Sequence, residues 1–262
     1  MGIGVSLKGL LFDLDGVLYV GNTPVTGAVE AVKALRASGL ACRFATNTST
    51  LSLVSLQKKI NAMGFDIALD EIISAPQAAI QFLRQQKNPV CRLLLADDVK
   101  QDFAEFQQSE TAPEFIVVGD IGNAWSYPML NTIFNALMRG AKLIAIHKNR
   151  FWQTEQGLQM DIGAFIDGLE YASGKQAMII GKPSKDFFHA ALRSMQLNAE
   201  NVVMIGDDID VDIGGAQYAG MKAVLVRTGK YRQTYVEASP IVPDVIIDTI
   251  ADLPNLLARR CL

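Results

Sequence analysis

The chain has 262 residues, half of them hydrophobic, with 24 Lys and Arg against 27 Asp and Glu and a net charge of −3. That is enough apolar material for one large domain or two modest ones, while the interspersed charge leaves no basic face for a nucleic acid or an anionic membrane. With no apolar run near the roughly 20 residues a bilayer requires, no signal-peptide pattern, and three unpaired-looking cysteines (Cys42, Cys91, Cys261), a soluble cytoplasmic protein without disulfides or structural zinc is expected.

The chain starts MGIGVS, which matches the myristoylation pattern of Gly2 with Ser6, a pattern short enough to recur by chance. From there short apolar runs alternate with amphipathic stretches, the signature of strand and crossover-helix units on a mainly parallel sheet. Buried strands are expected at 9–12, 41–45, 177–180, 202–205, 223–226 and 245–247, with helices at 28–37, 52–63, 185–195 and 209–219. The middle has a cycle of its own, with strands at 92–95, 115–118 and 143–146 and helices at 126–138 and 162–171. The expected fold is therefore α/β: a Rossmann-like core with a parallel sheet, made of residues 1–76 and 177–262, interrupted by an inserted α/β cap at 77–176.

Chemistry-bearing residues follow the strands. Asp13 and Asp15 close LKGLLFDLDG, where Asp15-Gly16 also reads as a hairpin turn. Thr46 and Asn47 follow the second strand, Lys182 follows the run at 177–180, and GDDIDVD places Asp207, Asp208, Asp210 and Asp212 after the run at 202–205. In open parallel sheets the functional crevice lies beyond the carboxyl ends of the strands, so these sets can converge. The acidic run is no EF-hand, because Ile213 and Ala219 stand where that loop needs glycine and a bidentate glutamate. Clustered carboxylates need a cation, and all-oxygen ligands suit Mg²⁺ better than Zn²⁺. Asp13, Asp15, Asp207 and Asp212 carry −4, and Mg²⁺ with Lys182 returns +3. The remaining −1 requires neutral donors for a phosphate: backbone N–H groups of the turn at Leu14, the Thr46 hydroxyl and the Asn47 amide. Such a set matches phosphoryl transfer.

Other signals are weaker. Gly168 to Lys175 has the wrong glycine spacing for a P-loop and lacks its Ser or Thr. His147 and Arg150 follow the strand at 143–146 and read either as a substrate-facing cap loop or as a basic turn. Trp125 and Trp152 read as cap packing, and His189 as structural.

The four motifs DLDG at 13–16, TNTS at 46–49, GKP at 181–183 and GDDIDVD at 206–212 resemble, in content and order, those of the haloacid dehalogenase (HAD) phosphatases. The cap's place between the second and third motifs resembles the C2 type of the NagD-like subclass IIA. The resemblance implies Asp13 as nucleophile, forming an aspartyl phosphate, and Asp15 as general acid and base. It implies Mg²⁺ held by Asp13, the Asp15 carbonyl and Asp207, with Thr46, Asn47 and Lys182 on the phosphoryl group and Asp212 in support. The expected partner is a small phosphorylated molecule, with a homodimer through the cap as a further possibility. A phosphotransferase to an acceptor other than water and a non-catalytic metal and phosphate-binding module are the alternatives; the physiological substrate is not legible.

Overall fold

The computed structural model describes residues 7–154 and 157–259; the MGIGVS start and Cys261 lie outside the described residues. The core is a six-stranded, all-parallel sheet in the order Val245–Ile247, Lys222–Val226, Val202–Gly206, Gly9–Asp13, Ala41–Thr46, Ile72–Ser74. The strand GLLFD is buried at every position, as a central parallel strand covered on both faces must be. Its Gly9 pairs in register with both Val202 and Ala41, so the carboxyl ends of the three central strands finish level. From this strand the chain builds first toward Ala41–Thr46, then resumes on the opposite side at Val202–Gly206. That reversal is the switch point at which parallel sheets open a crevice.

Helices Ala28–Ala37, Leu53–Ala62 and Lys185–Met195 bury their apolar faces on this sheet, with Ala28, Ala31, Val32 and Leu35 recurring at helical spacing in the first. The helix Leu53–Ala62 is capped by the Ser52 hydroxyl and by two carboxylates from further along the chain. Ser52 N–H donates to Asp98 at 2.6 Å and Leu53 N–H to Asp102 at 3.0 Å.

The second sheet is also all-parallel, in the order Met178–Ile179, Lys142–Ala145, Phe115–Val118, Val90–Leu94, Gln107–Gln108. Here the structure corrects the sequence reading. The run at 177–180 is not a core strand; Met178 and Ile179 pair with Ile144 and Ala145 at the edge of this second sheet. The sixth core strand is instead Ile72–Ser74, too short to carry a period of its own. It leads straight into the helix Ala75–Arg84, which has Ser74 as its cap and Pro76 in its first turn. An antiparallel hairpin, Phe151–Thr154 with Gly157–Met160, overhangs the same end.

The helix expected at 209–219 is also different in kind. Ile209–Gly214 is a π-helical turn, in which Ile213 N–H reaches back to the Asp208 carbonyl, and only Gly215–Tyr218 is α-helical. The wide turn folds Asp212 back against the strand end, where a Cβ on Gly206 would lie 2.2 Å from that of Asp212.

Candidate active site

The centre of the site is Lys182, almost wholly buried, whose ammonium donates to Asp13 Oδ1 at 2.6 Å and to Asp212 Oδ1 at 2.7 Å. Burial alone would lower its proton affinity, but the two carboxylates outweigh it and hold the amine charged. Asn47 fixes the lysine from behind. Its Nδ2 donates to the Lys182 carbonyl and its Oδ1 accepts from the Lys182 N–H, both at 2.9 Å. The amide is therefore engaged in holding Lys182, and Gly181 allows the approach, since a Cβ there would sit 2.4 Å from Asn47 Oδ1. Thr46 is buried, with its hydroxyl accepting from Thr48 N–H at 3.0 Å. Leu14 packs its side chain into the core, so only its backbone can serve the site.

The acidic loop divides its labour. Asp212 is fully engaged, one oxygen with Lys182 and the other accepting from the Asp207 and Asp208 N–H groups at 3.2 Å. Asp208 caps the π turn through the Asp210 and Val211 N–H groups and pairs with Lys230. Asp210 accepts from the Tyr235 hydroxyl. Asp207 is different: Oδ2 accepts from Lys230 N–H at 2.7 Å, but Oδ1 is buried with no hydrogen-bond partner. Glycines make the space around it, because a Cβ on Gly16 or Gly229 would lie about 2 Å from Oδ2, and both have positive φ.

One oxygen from each of Asp13, Asp207 and Asp212 lies within 4.8 Å of the others. Burial first, and then the charge of Asp13, pushes the Asp212 carboxyl up to about 6 and that of Asp207 well above the usual range. Asp15 is likewise raised by burial, opposed mainly by Lys59. An orphaned, buried acceptor inside an all-oxygen carboxylate cluster fits a small hard dication such as Mg²⁺.

The pocket above has a volume of about 440 Å³ and is walled by both sheets' ends. The segment that carries the second sheet and the hairpin contributes Asp120, His147, Asn149, Trp152, Gln159 and Asp161. His147 is buried, which lowers its proton affinity and keeps it neutral although Asp161 lies 3.9 Å from Nδ1; Nε2 meets Ser49 Oγ at 3.4 Å. Arg150 does not line this pocket. It is exposed, stacked over Tyr235 at 5.1 Å and bonded to its hydroxyl at 2.7 Å. Trp125 stacks on Phe165 as packing, whereas Trp152, read as packing, faces the pocket. Thr48, Ser49, Lys59, Asp120, Asp161 and Lys230 also line it and were not singled out in the sequence. Only Thr48 and Ser49 had a local signal, as neighbours of Asn47.

Residues 10–108 match the family model for haloacid dehalogenase-like hydrolases, and residues 179–253 match a HAD-hydrolase-like model. The human phospholysine phosphohistidine inorganic pyrophosphate phosphatase is 39% identical over 97% of this chain and 95% of its own. The Bos taurus haloacid dehalogenase-like hydrolase domain-containing protein 2 is 43% identical over 87% of this chain and 86% of its own. Among solved structures, the p-nitrophenyl phosphatase from Archaeoglobus fulgidus superposes with a TM-score of 0.88 at 27% identity, covering 96% of this chain and 99% of that one.

Proposed function

The chain belongs to the haloacid dehalogenase-like hydrolases, in their NagD-like subclass, and from that premise we propose a Mg²⁺-dependent phosphatase that works through an aspartyl phosphate on Asp13. The observation that carries this reading is Lys182 clamped between Asp13 and Asp212 beside the orphaned oxygen of Asp207. Residues 77–176 are taken as the cap, with Met178 and Ile179 completing its sheet. Exposed Tyr127, Met138 and Tyr171 on that unit support pairing of two copies through it.

Asp13 and Asp207, with the Asp15 carbonyl, would hold Mg²⁺, which when bound neutralises the carboxylates and draws charge from the transferring phosphoryl oxygens. Lys182 holds Asp13 Oδ1, which leaves the other carboxylate oxygen to attack phosphorus. As that bond forms, the bond from phosphorus to the leaving group breaks and Asp15 gives the leaving atom its proton. The burial that raises Asp15's proton affinity suits it to this task. Asp15, now a carboxylate, takes a proton from water; the hydroxyl oxygen bonds phosphorus, the acyl phosphate bond breaks, and Asp13 is restored. Thr46 and the backbone N–H groups of the Leu14 turn steady the phosphoryl oxygens, and Asn47 contributes by fixing Lys182.

The substrate class is a small phosphorylated molecule. The human relative's name covers P–N and P–O–P bonds, and we extend the class here to phosphoramidates and pyrophosphate beside monoesters. The test is hydrolysis of p-nitrophenyl phosphate with Mg²⁺ or EDTA, beside Asp13→Asn. Turnover should require metal and fall at least a thousandfold in the variant, whose melting temperature stays near that of the parent. Substantial residual turnover in a folded Asp13→Asn would show that Asp13 is not the nucleophile.

A further inference from the structure

Three lysines line the catalytic pocket, and two of them are neutralised within the protein: Lys182 by Asp13 and Asp212, Lys230 by Asp208. Lys59 is not. Among the described residues no carboxylate lies within ion-pair distance of its ammonium, which faces the ring of Tyr19 at 4.8 Å and acts on Asp15 only from beyond that distance. A cation–π contact orients an ammonium without cancelling its charge. Lys59 is half-buried and is held in place from two directions. Its helix, Leu53–Ala62, is fastened at the amino end by Asp98 and Asp102, and Tyr19 is paired by its backbone to Asp15. That pairing puts Lys59 on the Asp15 flank of the pocket, the side from which the leaving group departs.

Resting on the phosphatase reading, we propose that Lys59 is a specificity-determining residue that selects substrates whose leaving group carries a second negative charge, a phosphate or a carboxylate. The surrounding wall gives this selection its contrast. Asp120 and Asp161 repel an anion placed toward the cap, so a second anionic group is accepted only on the flank where Lys59 stands. A leaving group without such an anionic group gains nothing from that ammonium, whereas the distal group of a diphosphate can take hydrogen bonds from it as well as charge.

Calorimetric titration in excess Mg²⁺, with inorganic phosphate and with methylenediphosphonate, reads this without turnover. The unaltered protein should bind the diphosphonate at least tenfold more tightly than phosphate. Lys59→Gln should shrink that ratio at least tenfold, and Lys59→Arg should keep most of it, both with melting temperatures near that of the parent. A ratio in Lys59→Gln within twofold of the parent's, or loss of the ratio in Lys59→Arg as well, overturns the assignment. A parent that binds phosphate but shows no preference for the diphosphonate overturns it alone, and a parent that binds neither overturns the phosphatase reading with it.

Discussion

Replacing Asp207 by Asn should make the metal-free protein more stable while abolishing its response to Mg²⁺. Asp207 Oδ1 is buried without a partner and shares a 4.8 Å cluster with the oxygens of Asp13 and Asp212. An unsatisfied buried acceptor costs about 1–3 kcal/mol, more when charged. An asparagine keeps one oxygen for the Lys230 N–H and places a permanent NH₂ donor in the cluster, removing the charge repulsion with Asp13 that raises the acid's proton affinity. At about 2–4 °C per kcal/mol for a chain approaching this size, the melting temperature in EDTA should rise by about 2–12 °C. The parent, in turn, should gain about 2.7 kcal/mol from Mg²⁺ at 100 times its Kd, and the variant almost nothing. Thermal melts of both proteins in EDTA and in a Mg²⁺ series measure the two effects together. A variant that melts below its parent in EDTA, or that gains as much from Mg²⁺, would refute the reasoning about Asp207.

The same cluster sets a pH dependence. A carboxyl whose proton affinity is raised on folding contributes stability that is full below its unfolded value, near 4, and is lost as pH rises through its folded value, about 6 for Asp212. Metal-free protein should therefore lose stability between about pH 4 and 6 relative to a metal-saturated sample; parallel curves in denaturant titrations would count against this. At the cap, His147→Ala should alter relative rates among phosphorylated substrates at least threefold. Arg150→Ala, which lies off the pocket, should move them less than twofold, and the opposite order in a substrate panel would reassign the cap's contacts.

What was legible in the sequence was what chemistry forces into short spacings. Asp13 and Asp15 behind a strand, Lys182, and the aspartates of GDDIDVD are local patterns, and the core strands at 9–12, 41–45 and 202–205 are apolar runs bounded by turn chemistry. The run at 177–180 was legible as a strand but not as a member of one sheet rather than another, because sheet membership is decided by pairing partners far along the chain. Ile72–Ser74 offers three residues and no period. The π turn escaped because its apolar spacing is that of an α-helix; what widens it is Asp212 returning to the Asp207 and Asp208 N–H groups. Lys59 and Asp161 carry no motif at all. They become pocket residues only because one helix and one hairpin end at the same crevice.

The pairing of Gly9–Asp13 with Val202–Gly206 has a consequence for biogenesis. The strand bearing Asp13 is made well before its neighbour on one side, which lies nearly two hundred residues behind it. Until that neighbour arrives, an apolar strand waits with one edge open, while the second sheet, whose pairings are nearer in sequence, is free to condense. Asp13 meets Asp207 and Asp212 only once the segment through 212 has been made, so products truncated before it cannot assemble the carboxylate cluster. They instead expose an unpaired parallel edge, which makes them substrates for chaperones and proteases rather than weak enzymes.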